Sequence, residues 1–191
     1  MIGNTDHFRR LGSGAVLAFV CSALAGCGSD GSGLPGPTPP EQPPPVDEGV
    51  TPSAGCSDGT LEHGALYRIC FPATWNGDVV LYAHGYVAAQ HPIALPADTI
   101  GGQSVSGTLN SLGYAFATTS YRSNGLVAPD AVDDLVELDA TVRRLYRPDP
   151  GHSVILGFSE GGLVATLAVE RHADLFDGAV AGCGPIGDFA A

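Results

Sequence analysis

Ser159 stands in the run Gly157-Phe158-Ser159-Glu160-Gly161-Gly162, and that run has the residue types for nucleophilic chemistry. A short β-branched and apolar segment (Val154, Ile155, Leu156) leads straight into it, and a helix-forming run, LVATLAVERHADLF, follows at once. A turn this tight between strand and helix strains the backbone of the serine. A side chain at Gly157 or Gly161 would collide with the neighbouring strand or helix. The hydroxyl is thereby exposed at the strand's end, near a helix N-terminus whose free N–H groups favour developing negative charge. Such a placement suits attack on a carbonyl carbon, with a covalent acyl intermediate. The chain has 27 glycines, so the pentapeptide alone is weak evidence. Its flanks make it specific.

Strands and helices must alternate around this turn for it to be positioned. Residues 66–71 (LYRICF) read as a strand, and residues 79–83 (VVLYA) as one buried on both faces. His84, Gly85 and Tyr86 end that second strand. A loop with Pro92 and Pro96 leads to a short helix over 103–112, closed by Gly113. Residues 114–120 form the next strand, and Pro129 opens a helix of about four turns reaching Arg147. Its buried side carries Val132, Leu135, Val136, Leu138, Val142 and Leu145. The acids Asp133, Asp134, Glu137 and Asp139 then read mostly as its solvent face. A helix over 163–176 and a buried strand over 178–182 (GAVAG) complete the pattern. The alternation predicts an α/β fold with a mostly parallel, doubly wound sheet.

In this arrangement the residues resemble the α/β-hydrolase superfamily, in particular its secreted serine esterases and peptidases. Gly157–Gly162 resembles that family's nucleophile elbow. His84-Gly85-Tyr86 resembles the His-Gly before its oxyanion loop. Tyr121-Arg122 with Gly125 looks like the Tyr-Arg-x-x-Gly found after the next strand in some members. The matches run in the family's order from Leu66 to Asp188. The resemblance implies that Ser159 is the nucleophile and that the backbone N–H groups of Glu160 and Tyr86 hold the oxyanion. Gly85 shapes the oxyanion loop, and His84 supports it by hydrogen bonds rather than acting as the base. On this reading the Glu160 carboxylate has no necessary role. The substrate would be a small ester or peptide, and the chemistry needs no cofactor and no metal.

The family's triad continues from the serine to an acid and then a histidine on later loops. After Glu160 the available acids are Glu170, Asp174, Asp177 and Asp188, and the only histidine is His172. His172 lies on the helix that starts at the elbow, roughly 20 Å along it at 1.5 Å per residue. His63, His91 and His152 precede the serine and break the order. The expectation is a hydrolase domain over 56–191 that stops after the strand following the nucleophile helix. The triad acid and histidine would lie beyond Ala191, and the 191-residue chain alone would be inactive.

The first residues read as an export signal. Arg9 and Arg10 precede an uncharged apolar run, and Leu24-Ala25-Gly26-Cys27 resembles a bacterial lipobox. Residues 1–26 are thus expected to be a lipoprotein-type signal peptide, with Cys27 lipidated and anchoring the protein in the cell envelope. Cleavage nearby without lipid, giving a secreted protein, is the alternative. Residues 27–55, rich in proline, glycine and serine, form a tether that has too little apolar surface to fold. Export puts the cysteines in an oxidising compartment, where Cys56 and Cys70 can close a loop across the first hairpin. Cys183 is then either a buried small hydrophobe or the partner of a cysteine elsewhere. The net charge is −12 and all eight basic residues are arginine, with no basic stripe, which argues against a nucleic-acid partner. The rival to a serine hydrolase is a non-catalytic surface lipoprotein that uses a hydrolase-like fold for binding.

Overall fold

The computed structural model describes residues 49–187, and the expected signal peptide, Cys27, most of the expected tether and Asp188 lie outside them. No helix among the described residues is long and apolar enough to cross a membrane. In chain order the elements are strands β1 (Gly55–Thr60), β2 (Leu66–Phe71) and β3 (Val79–Ala83), a small hairpin of β4 (Thr99–Ile100) and β5 (Gln103–Ser104), helix α1 (Val105–Ser111), strand β6 (Ala115–Thr119), helix α2 (Ala128–Leu145), strand β7 (Ser153–Phe158), helix α3 (Glu160–Arg171) and strand β8 (Gly178–Gly182).

Six strands form one sheet in the order β1-β2-β6-β3-β7-β8. β1, β2 and β6 pair antiparallel, while β6, β3, β7 and β8 run parallel. All five residues of β3 are buried, as a central strand covered on both faces requires. α2 and α3 pack on one face over Leu81, Ile155, Leu135, Leu138 and Val164, and α1 covers the other over Cys70, Tyr82 and Phe116. From β3 the chain crosses to β6 under α1, then returns past β3 to β7 under α2. The winding therefore reverses between β3 and β7. Open α/β sheets bind ligands at the carboxyl ends of the strands flanking such a reversal.

The helix ends have local causes. The Ser104 side chain accepts the Gly107 N–H at 3.0 Å and caps α1, so the helix starts two residues later than the sequence predicts. α2 has proline in its first turn with Asp130, and Arg143 and Arg144 in its last, each suiting the helix dipole. α3 starts directly after Ser159 and ends at Arg171 rather than Phe176, because His172 leaves the helical region at φ −131° and ψ 49°. Its last apolar residues instead close a turn, with the Leu175 and Phe176 N–H groups donating to the His172 carbonyl.

Three further sequence expectations change. Asp134 and Asp139 are fully buried on α2 rather than solvent-facing. Asp134 binds Arg122, and Asp139 binds Arg143 at 2.7 Å and Ser153 Oγ at 2.5 Å. A buried carboxylate persists only with such partners. Cys183 is exposed rather than buried. β8 lies at the sheet's edge with Val180 exposed, where the sequence reads as a buried strand. Cys56 and Cys70 face each other across β1 and β2 and are joined by a disulfide. Residues before β1 run along the end of α2, with the Val50 N–H donating to the Leu145 carbonyl.

At the amino end of β7, His152 Nδ1 lies 2.9 Å from Asp78 Oδ1. That bond, with the Asp78 charge and then Asp177, raises the imidazole above its usual pKa. A group raised on folding stabilises the protein below its unfolded pKa, and this contribution disappears as pH rises through the folded value. NMR titration should find His152 above an ordinary histidine, and Asp78→Asn should return it toward that value.

Candidate active site

The elbow brings β7, α3 and β3 within contact of one another at the reversal point. Ser159 is exposed and has φ 57° and ψ −125°, outside the favoured regions for a residue with a side chain. Its backbone is held on both sides. The Ser159 N–H donates to the Gly182 carbonyl at 2.9 Å, and its own carbonyl accepts from Gly162 at 2.9 Å. The glycines are required by space. A Cβ on Gly157 would sit 2.0 Å from the Gly161 oxygen, and one on Gly161 would sit 2.0 Å from the Ala83 oxygen.

β3 and β7 pair with Ala83 opposite Gly157, so the residues after Ala83 emerge beside Ser159. A Cβ built on Gly85 would lie 3.6 Å from the Ser159 Cβ. Glu160 is the first residue of α3, where N–H groups have no partner within the helix. Neither its N–H nor that of Tyr86 makes a hydrogen bond among the described residues. His84 is buried and stacked on Tyr121, with ring centroids 4.0 Å apart. Its Nδ1 lies 2.7 Å from the Gly85 carbonyl, which can only accept, so Nδ1 carries the proton. Nε2 is buried without a partner. The Tyr121 hydroxyl donates to the His84 carbonyl, and burial, then the Glu160 charge, pushes that phenol well above its ordinary pKa. Tyr121 is therefore a neutral donor.

No protein-family profile matches the chain, and no curated protein matches it by sequence. Solved structures do match. An esterase of Pyrococcus furiosus superposes with a TM-score of 0.51 at 18% identity, over 72% of this chain and 56% of that one. An acylaminoacyl peptidase of Pyrococcus horikoshii superposes with a TM-score of 0.50 at 15% identity, over 70% of this chain and 23% of that one. The fold is that of the α/β-hydrolases. The chain spans little more than half the length of the esterase and about a quarter of the peptidase.

In this α/β-hydrolase fold, two histidine–carboxylate pairs form among the described residues, and neither is with Ser159. His63 binds Glu137 of α2 at 2.6 Å, beside the β1–β2 turn. His152 binds Asp78 at the opposite end of β7, about 20 Å away at the rise of a strand. His172 caps the far end of α3. His63, Asp134 and Glu137 also come within 4.8 Å of one another. Their oxygens are already engaged: Asp134 by Arg122, and Glu137 by His63 and the Glu62 N–H.

The Glu160 carboxylate has a structural part that the sequence reading did not give it. It is buried, and Oε1 accepts the Val127 N–H at 2.8 Å, just where α2 begins. Segment 121–127 is thereby tied to the elbow. The same segment holds the loop after β3, with the Gly125 N–H on the Val87 carbonyl at 2.8 Å and Asn124 Nδ2 on the His91 carbonyl at 2.9 Å. Glu160→Ala should cost about 1–3 kcal/mol, because the Val127 N–H is left unsatisfied. Glu160→Gln keeps an acceptor and should cost under about 1 kcal/mol. Calorimetry of both variants checks the claim, and equal losses would refute it.

Proposed function

We propose that this protein is a serine hydrolase of ester or peptide bonds in which Ser159 forms the acyl-enzyme. The observation that carries the reading is the strained backbone of Ser159, at φ 57° on a turn where two glycines admit no side chain. A binding module has no need of that strain. Ser159 Oγ attacks the carbonyl carbon and gives its proton to a base. The resulting oxyanion lies between the free N–H groups of Glu160 and Tyr86, each worth about 3 kcal/mol of transition-state stabilisation. Collapse expels the alcohol or amine, and water then releases the acid. The base and its acid are assigned to residues other than those described, so a chain limited to these residues should turn over substrate very slowly. Lipidation at Cys27 would hold the domain at the cell envelope through the tether.

The test is a fluorophosphonate probe applied to the protein isolated from its own cells, with the tagged peptide mapped by mass spectrometry. The tag should fall on Ser159 and vanish in Ser159→Ala. A tag that survives this substitution would overturn the assignment.

A further inference from the structure

The segment from His84 to Asp98 has no helix or strand of its own, and long irregular segments inside a compact domain are commonly functional. It lines a half-open cavity of about 410 Å³, within the range of small-molecule sites. Its lining includes Tyr86, Val87, Pro92, Leu95, Pro96 and Asp98. Gly85 lines this cavity, and a Cβ on it would lie 3.6 Å from the Ser159 Cβ, so the cavity adjoins the backbone beside the serine. The walls are held in place. Val87 and His91 are tied by their carbonyls to Gly125 and Asn124, and Asp98 accepts the Tyr82 hydroxyl at 3.0 Å. A site fixed in this way loses little entropy when it is filled.

The lining also has a charge preference. Among the described residues that border the cavity, Asp98 is the only one with a fixed charge when the histidines are neutral. Arg68 lines a second cavity, which shares residues 95–98 with this one, and is already paired with Asp58. Proline, leucine and alanine supply apolar contact for a ligand, while a carboxylate entering here would meet Asp98 with no cation to offset it. We propose that this cavity receives an uncharged acyl or aryl group of the substrate, and that Asp98 excludes substrates carrying a carboxylate there. What the cavity serves rests on Ser159 being the nucleophile, but its ligand preference can be measured without turnover.

The experiment titrates the ¹⁵N-labelled full chain with 3-phenylpropanamide and, separately, with 3-phenylpropanoate, at pH 8. The amide should shift the Tyr86, Val87, Leu95 and Ala97 backbone signals saturably, and the carboxylate should bind about tenfold more weakly. Asp98→Asn, at an exposed position, should remove that difference. Ala94→Trp, which narrows the cavity, should weaken the amide. No saturable shift, shifts confined to other residues, or equal binding of the two compounds by the unaltered chain would each overturn the proposal. In Ser159→Ala the amide shifts should persist. Labelling of Ser159 in the protein from its own cells without these shifts would refute the cavity alone, and these shifts with a label that survives Ser159→Ala would refute the nucleophile alone.

Discussion

Gly161→Ala should lower the stability of the protein by about 3 kcal/mol and its melting temperature by about 10 °C. An added methyl group would sit 2.0 Å from the Ala83 oxygen and 2.7 Å from both the Ala83 carbonyl carbon and the His84 oxygen. These are backbone atoms of β3 and of the loop that follows it, so no side chain can rotate out of the way. The fully buried central strand would have to move from β6 or β7, or α3 would have to tilt from the sheet. Either movement separates the Glu160 N–H from the loop at Tyr86, so the molecules that remain folded should also lose reactivity at Ser159. Gly178→Ala is the control. A Cβ there meets nothing within 4 Å, and the change should stay within about 0.5 kcal/mol. Gly162→Ala should fall between them, with its nearest contact at 3.0 Å to the Gly182 oxygen. Thermal denaturation of the three variants gives the order. Gly161→Ala melting like Gly178→Ala would show that the elbow can relax, and the argument from close approach would fail.

The parts of this molecule that were legible in the sequence are those set by local pattern. VVLYA at β3 and GAVAG at β8 are apolar runs bounded by breakers, and both strands have the limits that the sequence gives them. The elbow was legible because its glycines are demanded by contacts that recur wherever strand, serine and helix meet so tightly. What was not legible depends on partners distant in the chain. Glu160 meets Val127 across 33 positions, and Tyr121 meets His84 across 37. No local period encodes such pairs. The acids of α2 illustrate the difficulty further. Asp134 and Asp139 flank the apolar stripe of Ala131, Leu135, Leu138 and Val142, and helical spacing alone reads such acids as part of the solvent face. An arginine on the preceding loop decides it for Asp134, and Ser153 together with Arg143 decides it for Asp139.

Arg122→Ala is expected to be among the most damaging substitutions outside the elbow, at about 3–5 kcal/mol. Asp134 has no exposed surface and binds Arg122 three times: Oδ2 accepts the backbone N–H at 2.8 Å, Oδ1 accepts Nε at 2.8 Å, and the terminal nitrogen lies 2.7 Å from Oδ1 as an ion pair. Alanine keeps only the backbone donor and leaves a buried carboxylate without its counter-ion. The Asp134 charge in turn raises the guanidinium above its ordinary pKa, chiefly through the hydrogen bond, so the arginine is charged at every accessible pH. Lysine cannot reproduce the forked contact and should recover only part of the loss. Asp134→Asn with Arg122→Ala should be milder than Arg122→Ala alone, because the amide carries no charge to strand. The damage should also reach the site. Arg122 opens the segment that holds Val87, His91 and Glu160, so a loosened segment frees the oxyanion loop and the elbow together. Hydrogen exchange provides the check: in Arg122→Ala the Gly125 and Val127 amides should exchange faster by more than the global loss of stability accounts for. Exchange that rises only with global unfolding would mean that the pair stabilises α2 and nothing more.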